Sequence, residues 1–236
     1  EFKIKGKSRE EIMSSLTGEN IINQIKIGYI FISSKDSSEK NLELIKQYND
    51  EEFYENILHW TYGVFIIVES NSGIIALNTN HNITKSNYFE MYMKCYDTYL
   101  QHYNLQNILH FNSIFIGGPC EYNSIFGLIY IEDLPSFNVN LKNVKVIKND
   151  ENKCVIFGEY YLIYKLYHVK PENVLKLHIY LGYAGWSNTQ LISEFAKTSW
   201  GITNVKSDIL FKNNNYELIK QENCLFVKSN IYSDNN

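Results

Sequence analysis

The stretch Leu181-Gly182-Tyr183-Ala184-Gly185-Trp186-Ser187-Asn188-Thr189-Gln190-Leu191 decides how the rest of the chain is read. Two glycines flank a Tyr-Ala pair, Trp186 follows, and Ser187 with Gln190 three residues later forms a capping box ahead of an apolar-periodic run. The segment reads as a turn feeding a helix, a rigid corner with exposed backbone. Before it, Val174 to Leu181 alternates through Leu175, Leu177, Ile179 and Leu181, which predicts a strand. After it, Leu191, Ile192, Phe195, Ala196 and Trp200 mark one helical face, opposite Gln190, Glu194 and Lys197. Gly201 suits the residue after the helix end.

Working outward, the surest local feature is a hairpin. Tyr62 to Val68 is a strand by composition and length, Asn71-Ser72-Gly73 supplies a turn, and Ile74 to Asn78 returns. Further strands are predicted within Gln24–Ser33, Phe111–Ile116, Ile125–Ile131, Val144–Ile147 and Cys154–Gly158, with Gly117-Gly118-Pro119 as a tight turn. Leu134 to Asn143 reads as loop or edge strand, and Cys224 to Val227 as strand-like. Short helices are expected from Arg9 to Thr17 and from Glu159 to Val169, and a longer one from Thr84 or Ser86 to Tyr103. In the longer helix Tyr88, Tyr92, Tyr96, Tyr99 and Tyr103 share one stripe, which reads as a core-facing surface rather than a base-stacking platform. Polar sequence from Ser34 to Glu52 reads as an exposed excursion with weak helical spacing from Leu42 to Tyr48. Phe53 to Trp60 fits either strand or helix.

A chain of 236 residues can bury a core without metals or disulfides, and no linker separates two patterned halves. One domain is therefore expected at 24–212, with a helical extension at 1–23 and a C-terminal extension at 213–236 whose end is disordered. Net charge is −4 and Arg9 is the only arginine, which disfavours direct reading of duplex DNA. Cys95, Cys120, Cys154 and Cys224 are widely spaced and read as reduced thiols, so an intracellular compartment is expected, cytoplasm or organelle interior. No run is long and apolar enough for a membrane helix, and no membrane association is expected. The chain begins at Glu1 rather than Met, so a native N-terminal segment missing from this sequence is an expectation.

Three segments, Gly73-Ile74-Ile75-Ala76-Leu77-Asn78, Ile116-Gly117-Gly118-Pro119 and Gly182-Tyr183-Ala184-Gly185-Trp186 with Gln190-Leu191 and Glu194, occur in an order and at separations that resemble the AlgH-like family. The resemblance covers about residues 24–212. It implies a complex α+β (α/β) single domain, a mixed, strongly bent sheet with barrel character surrounded by helices. Bacterial relatives carry a transcriptional-regulator label, without an established biochemical activity. The chain departs from the family pattern at Thr79-Asn80, where a basic residue and a proline are usual, at Cys120, where valine is usual, and near Tyr130, where histidine is frequent.

The functional expectation is a non-catalytic binding or regulatory module that engages a small ligand or a protein partner. Its cleft would form where Asn78, Gly117, Gly118 and Pro119 meet Gly182, Tyr183, Gly185, Trp186 and Gln190. The helix entry at Ser187 could receive an anion, but Ser187 and Gln190 can satisfy that backbone themselves. The enzyme alternative is a small-molecule enzyme using the same cleft, with Cys120 as nucleophile and His110 or His178 as base. Neither a metal site nor a cofactor is expected, because the six histidines show no metal-ligand spacing and the glycines match no nucleotide fingerprint.

Overall fold

In the computed structural model the hairpin forms as predicted. Strands β2 (Val64–Glu69) and β3 (Ile74–Asn78) pair antiparallel with Phe65 opposite Asn78. The structure describes residues 22–23, 25–48, 50–71, 73–137, 143–212, 215–221 and 224–226. The helix expected at Arg9 to Thr17, and the end of the chain expected to be disordered, lie outside them.

Around the hairpin, a sheet runs in the order β10 (Leu225–Phe226), β9 (Trp200–Thr203), β1 (Ile30–Ser33), β2, β3, β8 (Val174–Trp186), β5 (Cys120–Glu132), β7 (Lys153–Glu159) and β6 (Val144–Asp150). All these pairs are antiparallel; β4 (Ile114–Ile116) alone joins β8 in parallel, so the sheet is mixed. Its curl follows from the long strand β8. The first part of β8 pairs with β5, whereas Ala184 to Trp186 pair with Ala76 to Ile74 of β3. The two flanks then share one core, in which Ile30, Ile32 and Ile66 meet Leu128, Ile147 and Val155. Where the curl brings β6 towards the β1–β2 flank, side chains close the seam. Lys145 lies 2.9 Å from Glu69, and the Lys148 ammonium donates to the Gly28 carbonyl at 3.1 Å and to Asn204 Oδ1 at 2.6 Å. The result is the bent, barrel-like α/β domain that the family resemblance implied.

Helices cover the outside. Helix α3 (Phe89–Tyr103) buries Tyr92, Tyr96 and Leu100 against Ile114, Ile125 and Ile179, while Tyr103 stays exposed. The tyrosine stripe is thus a core-facing surface. Helix α4 (Tyr160–Val169) packs Ile163 and Leu166 on Ile129 and Ile156. Helix α5 (Asn188–Ala196) covers the other side with Leu191 and Phe195.

Several expectations need correction. The polar stretch after Ser34 is not an excursion but helix α1 (Lys35–Gln47), capped by Ser34, whose hydroxyl accepts from the Ser37 amide. Its anchor is polar: buried Ser38 Oγ accepts from the Tyr62 amide at 2.9 Å and sits 3.1 Å from Ser33 Oγ. Hydrophobic spacing cannot reveal such an anchor. The ambiguous stretch after Asp50 is helix α2 (Glu51–Leu58), capped by that aspartate.

The opening segment itself is no turn. Strand β8 continues through Gly182 to Trp186, and only then does Ser187 cap α5 by accepting from the Gln190 amide at 3.2 Å. Helix α5 stops at Ala196 and the chain turns at Thr198 (φ 57°), so Trp200 and Gly201 belong to β9. Two short helices follow, α6 (Ser207–Leu210) and α7 (Asn215–Gln221).

Candidate functional site

The three glycine motifs meet, but as a backbone junction. The Asn78 amide donates to the Gly117 carbonyl at 2.8 Å, and the Gly117 amide donates to the Leu181 carbonyl at 2.8 Å. A side chain on Gly117 would strike the Gly182 carbonyl, one on Gly118 the backbone of Tyr183 and Ala184, and one on Gly182 the Cys120 carbonyl. Gly182 also holds φ at +68°, a region that favours glycine. These glycines exist so that the β4–β5 connection can lie directly on β8.

The remaining predicted residues go elsewhere. Pro119 is half-buried beside Cys120, and Tyr183 lies edge-on to Phe126. Gly185 pairs with Ile75 within the sheet. Trp186 is 3 % exposed, edge-on to Phe31, Phe65 and Trp200, and its indole N–H donates to Glu194 Oε2 at 2.9 Å. Trp200 donates to the same oxygen at 2.6 Å, and Gln190, an exposed residue, donates to Glu194 Oε1. Glu194 thus holds two buried indoles rather than pairing with Lys197. Cys120 and His178 do not form a dyad. Cys120 stands opposite Tyr183 and His178 opposite Leu128, five residues apart on β8, roughly 16 Å apart along the strand.

A concavity opens immediately after Asn78. It has a volume of about 760 Å³, within the ordinary range for small-molecule sites. None of the nine predicted ligand residues lines it. Its walls come from the loop that leaves the hairpin, from the β4 and β8 surfaces, and from α7.

Loop 79–85 supplies Thr79, Asn80, Asn82, Thr84 and Lys85 to the cavity while Ile83 and His81 point inward and are buried. Asparagines shape it. Asn80 donates to the Tyr62 carbonyl at 2.6 Å and accepts from the Val64 amide, and Asn82 donates to the Phe111 and Ile114 carbonyls while accepting from Thr84. Tyr62, on the opposite wall, has φ 51°, unusual for a bulky residue. It is held there by Asn80 and Ser38. Its ring meets that of Tyr216 on α7 edge-on at 5.0 Å.

The floor carries an aromatic group, Phe115 and His178, with ring centroids 4.7 Å apart, backed by Tyr180 and Phe211. Burial, aided by Lys176, pushes the His178 imidazole down to about 3, so it is neutral at physiological pH. Asn215 stands on the same wall at 1 % exposure, its amide nitrogen donating to Thr79 Oγ1 at 2.9 Å while its carbonyl oxygen has no partner.

Behind the loop lies a second polar group. His81 Nδ1 is 3.1 Å from His59 Nδ1, both rings are buried, and neither Nε2 has a hydrogen-bond partner. One ring must donate and the other accept, which leaves one buried N–H and one buried lone pair unsatisfied. Burial lowers His59 to about 4, and burial together with His59 lowers His81 to about 3. Asn78 ties this pair to the glycine junction by donating to the His59 carbonyl at 2.9 Å. Nearby, Ser86 donates to Glu55 Oε1, and Glu55 Oε2 is buried without a partner. Among the described residues no group of three or more His, Cys, Asp or Glu side chains is placed to hold a metal ion, and no helix is long and apolar enough to cross a membrane. All four cysteines are free.

Sequence reasoning missed Asn80, Phe115, Asn215 and Tyr216. The available signals were the polar run from Thr79 to Asn82, where the chain leaves the family pattern, and a histidine within the otherwise apolar run of β8.

Comparison with known proteins comes to the same architecture. The family model described as AlgH-like matches residues 60–223. A crystal structure of a Corynebacterium diphtheriae protein superposes with a TM-score of 0.51 at 14 % identity, covering 85 % of this chain and 88 % of the other. The solution structure of the AlgH protein from Pseudomonas aeruginosa has a TM-score of 0.44 at 17 % identity, covering 82 % and 85 %. The comparison with curated proteins found no relative.

Proposed function

The chain belongs to the AlgH-like family, and from that premise we propose that it is a non-catalytic binding module whose ligand sits in the cavity between loop 79–85 and α7. The observation that carries this reading is the 760 Å³ cavity, whose lining combines the rings of Tyr62, Phe115 and Tyr216 with the polar side chains of loop 79–85 and Asn112. The predicted ligand cleft thereby moves next door. The glycine junction builds the platform, and the polar loop that follows Asn78 contacts the ligand. A small ligand is favoured over duplex DNA by the single arginine and the net charge of −4. A regulatory role would follow if ligand occupancy changes loop 79–85 and so what the protein presents to a partner.

A small-molecule screen read by thermal shift and by amide chemical shifts tests this. The variant is Asn112→Trp, which places a large ring at the exposed rim without touching the core. Compounds that raise the melting temperature of the parent should shift the amides of loop 79–85 and lose their effect in Asn112→Trp, whose own melting should match the parent. Binders that act equally on both proteins would place the site elsewhere.

A further inference from the structure

Helix α3 carries its tyrosine stripe past the core. Tyr92 and Tyr96 are buried, Tyr99 is half-buried, and Tyr103 is 38 % exposed. The two outer rings are nonetheless held in place. The Tyr99 hydroxyl accepts from the Tyr161 amide in the first turn of α4 at 3.1 Å, work that an N-cap side chain ordinarily does. Glu159, which occupies the N-cap position, accordingly makes no capping bond, and its exposed carboxylate has no ion-pair or hydrogen-bond partner among the described residues. Tyr103 stacks on Tyr161, ring centroids 4.7 Å apart and planes within 1°, and meets Tyr99 at 4.6 Å with a tilt of 46°.

A pocket of about 180 Å³ lies against these rings, and it shares no residue with the cavity at loop 79–85. Its walls include Tyr99, Tyr103 and Phe126, with Asn123, Ser124 and Glu159 as polar members. Asn123 and Ser124 arrive through an irregularity in β5, whose register against β8 shifts between Cys120 and Ile125. The lining thus combines three aromatic rings and one carboxylate with no cationic side chain. Burial raises the Tyr99 phenol above its ordinary range, and Glu159 is among the charges that raise it further, so that carboxylate stands near the ring.

This composition selects a cation. The fold already places one on the same stack: Lys165 lies over Tyr161, 5.2 Å from the ring centroid, while Tyr103 covers the other face. An anion would be repelled by Glu159. A divalent metal ion needs more oxygen ligands than one carboxylate supplies, and a primary ammonium is strongly hydrated. A methylated ammonium sheds water readily, packs its methyl groups on ring faces and keeps its charge beside the carboxylate. The volume agrees, since it lies below the roughly 300 Å³ at which drug-sized sites begin and suits a head group.

We propose that the pocket between α3, α4 and the start of β5 is a binding site for a methylated ammonium head group, the chemistry shared by choline and a trimethylated lysine side chain. Tyr99, Tyr103 and Phe126 supply the aromatic walls, and Glu159 supplies the counter-charge.

The test titrates the full chain with choline, with dimethylbutanol, its uncharged analogue in which carbon replaces nitrogen, and with acetyl-trimethyl-lysine amide. Amide shifts are followed in the parent, Glu159→Gln and Tyr103→Leu. Choline should shift the amides of residues 123–126 and bind about fivefold or more tightly than dimethylbutanol. Glu159→Gln should weaken choline by about threefold and spare dimethylbutanol. Tyr103→Leu keeps apolar bulk but removes a ring face, and should weaken choline by about threefold to tenfold while leaving dimethylbutanol nearly unchanged. Should Tyr103→Leu fold poorly, the ratio of choline to dimethylbutanol and the exposed Glu159→Gln variant still decide. Asn112→Trp, in the other cavity, should bind choline as the parent does. Tighter binding of the lysine derivative would assign the head group to a modified side chain, and tighter binding of choline to a free small molecule; either supports the site. Equal affinity for choline and dimethylbutanol, or no shift at residues 123–126 at tens of millimolar choline, would overturn it.

Discussion

Two buried aromatic groups lie on opposite sides of the same β-strand, and they have opposite polar states. On the α5 side Trp186, Trp200, Phe31, Phe65 and Phe195 pack edge to face, and both indole N–H groups end on a single carboxylate oxygen of Glu194. On the cavity side Phe115, His178, Tyr180 and Phe211 are packed as closely, yet the buried Oδ1 of Asn215 on the same wall has no partner. Buried polar atoms in folded proteins are nearly always satisfied, so each exception asks for an explanation of its own. Aromatic content alone does not separate a site from a core; the state of the polar atoms does.

The largest effect should come from cutting into the satisfied group. Trp186→Ala removes a ring that touches four aromatic neighbours and leaves Glu194 with one indole, and should cost about 3–5 kcal/mol in denaturant unfolding. Ligand response measured on the remaining folded protein should be unchanged. If Trp186→Ala abolished ligand shifts in loop 79–85 while barely altering stability, the two regions would have to exchange roles.

Acid should act in the other direction, on the unsatisfied side. His59, His81 and His178 are all held neutral in the fold, at about 4, 3 and 3, against 6.5 unfolded. Below pH 6.5 the unfolded chain binds protons that the native one refuses, so stability falls as pH falls, and the loss levels off only near pH 3 to 4. For His59 alone the loss by pH 4 is of the order of 3 kcal/mol. Unfolding midpoints measured from pH 7.5 to 4.5 should therefore drop steadily, and replacing the pair in His59→Leu/His81→Leu should flatten the slope. A midpoint that stays level through this range in the parent would show that these rings are hydrated and that the contrast between the two sides is smaller than drawn.

How far this was legible in the sequence depends on what each residue does. The hairpin, α3, α4 and the curl-forming strands were legible because apolar period reports burial, and the resemblance carried the overall architecture. The segment from Gly182 to Trp186 was misread as a turn because glycine signals a break, whereas here Gly182 permits backbone to lie on backbone across strands far apart in sequence. Trp200 was assigned to the correct face but the wrong element, since its ring joins Leu191 and Phe195 from β9. Helix α1 was missed because a serine hydroxyl, not an apolar stripe, anchors it. The cavity was illegible for a similar reason: Asn80, Asn82 and Asn215 look like solvated loop residues until long-range partners such as Val64, Ile114 and Thr79 are known.

The smallest predicted effect is also the most discriminating. Gln190 belongs to the family-like signature and to the nine residues expected at the ligand, yet it is exposed, and its side chain donates only to Glu194 Oε1 at 2.8 Å. The indoles use the other carboxylate oxygen, so Gln190→Ala leaves their contacts in place. A surface change of this kind should alter unfolding free energy by less than about 0.5 kcal/mol, and ligand titrations should be superimposable on the parent. Because the substitution barely disturbs the fold, any loss of ligand response could not be blamed on stability. Such a loss would return the site to the Ser187 helix entry, some distance along β8 from His178, and would mean that the unsatisfied atoms around loop 79–85 mark something other than a ligand.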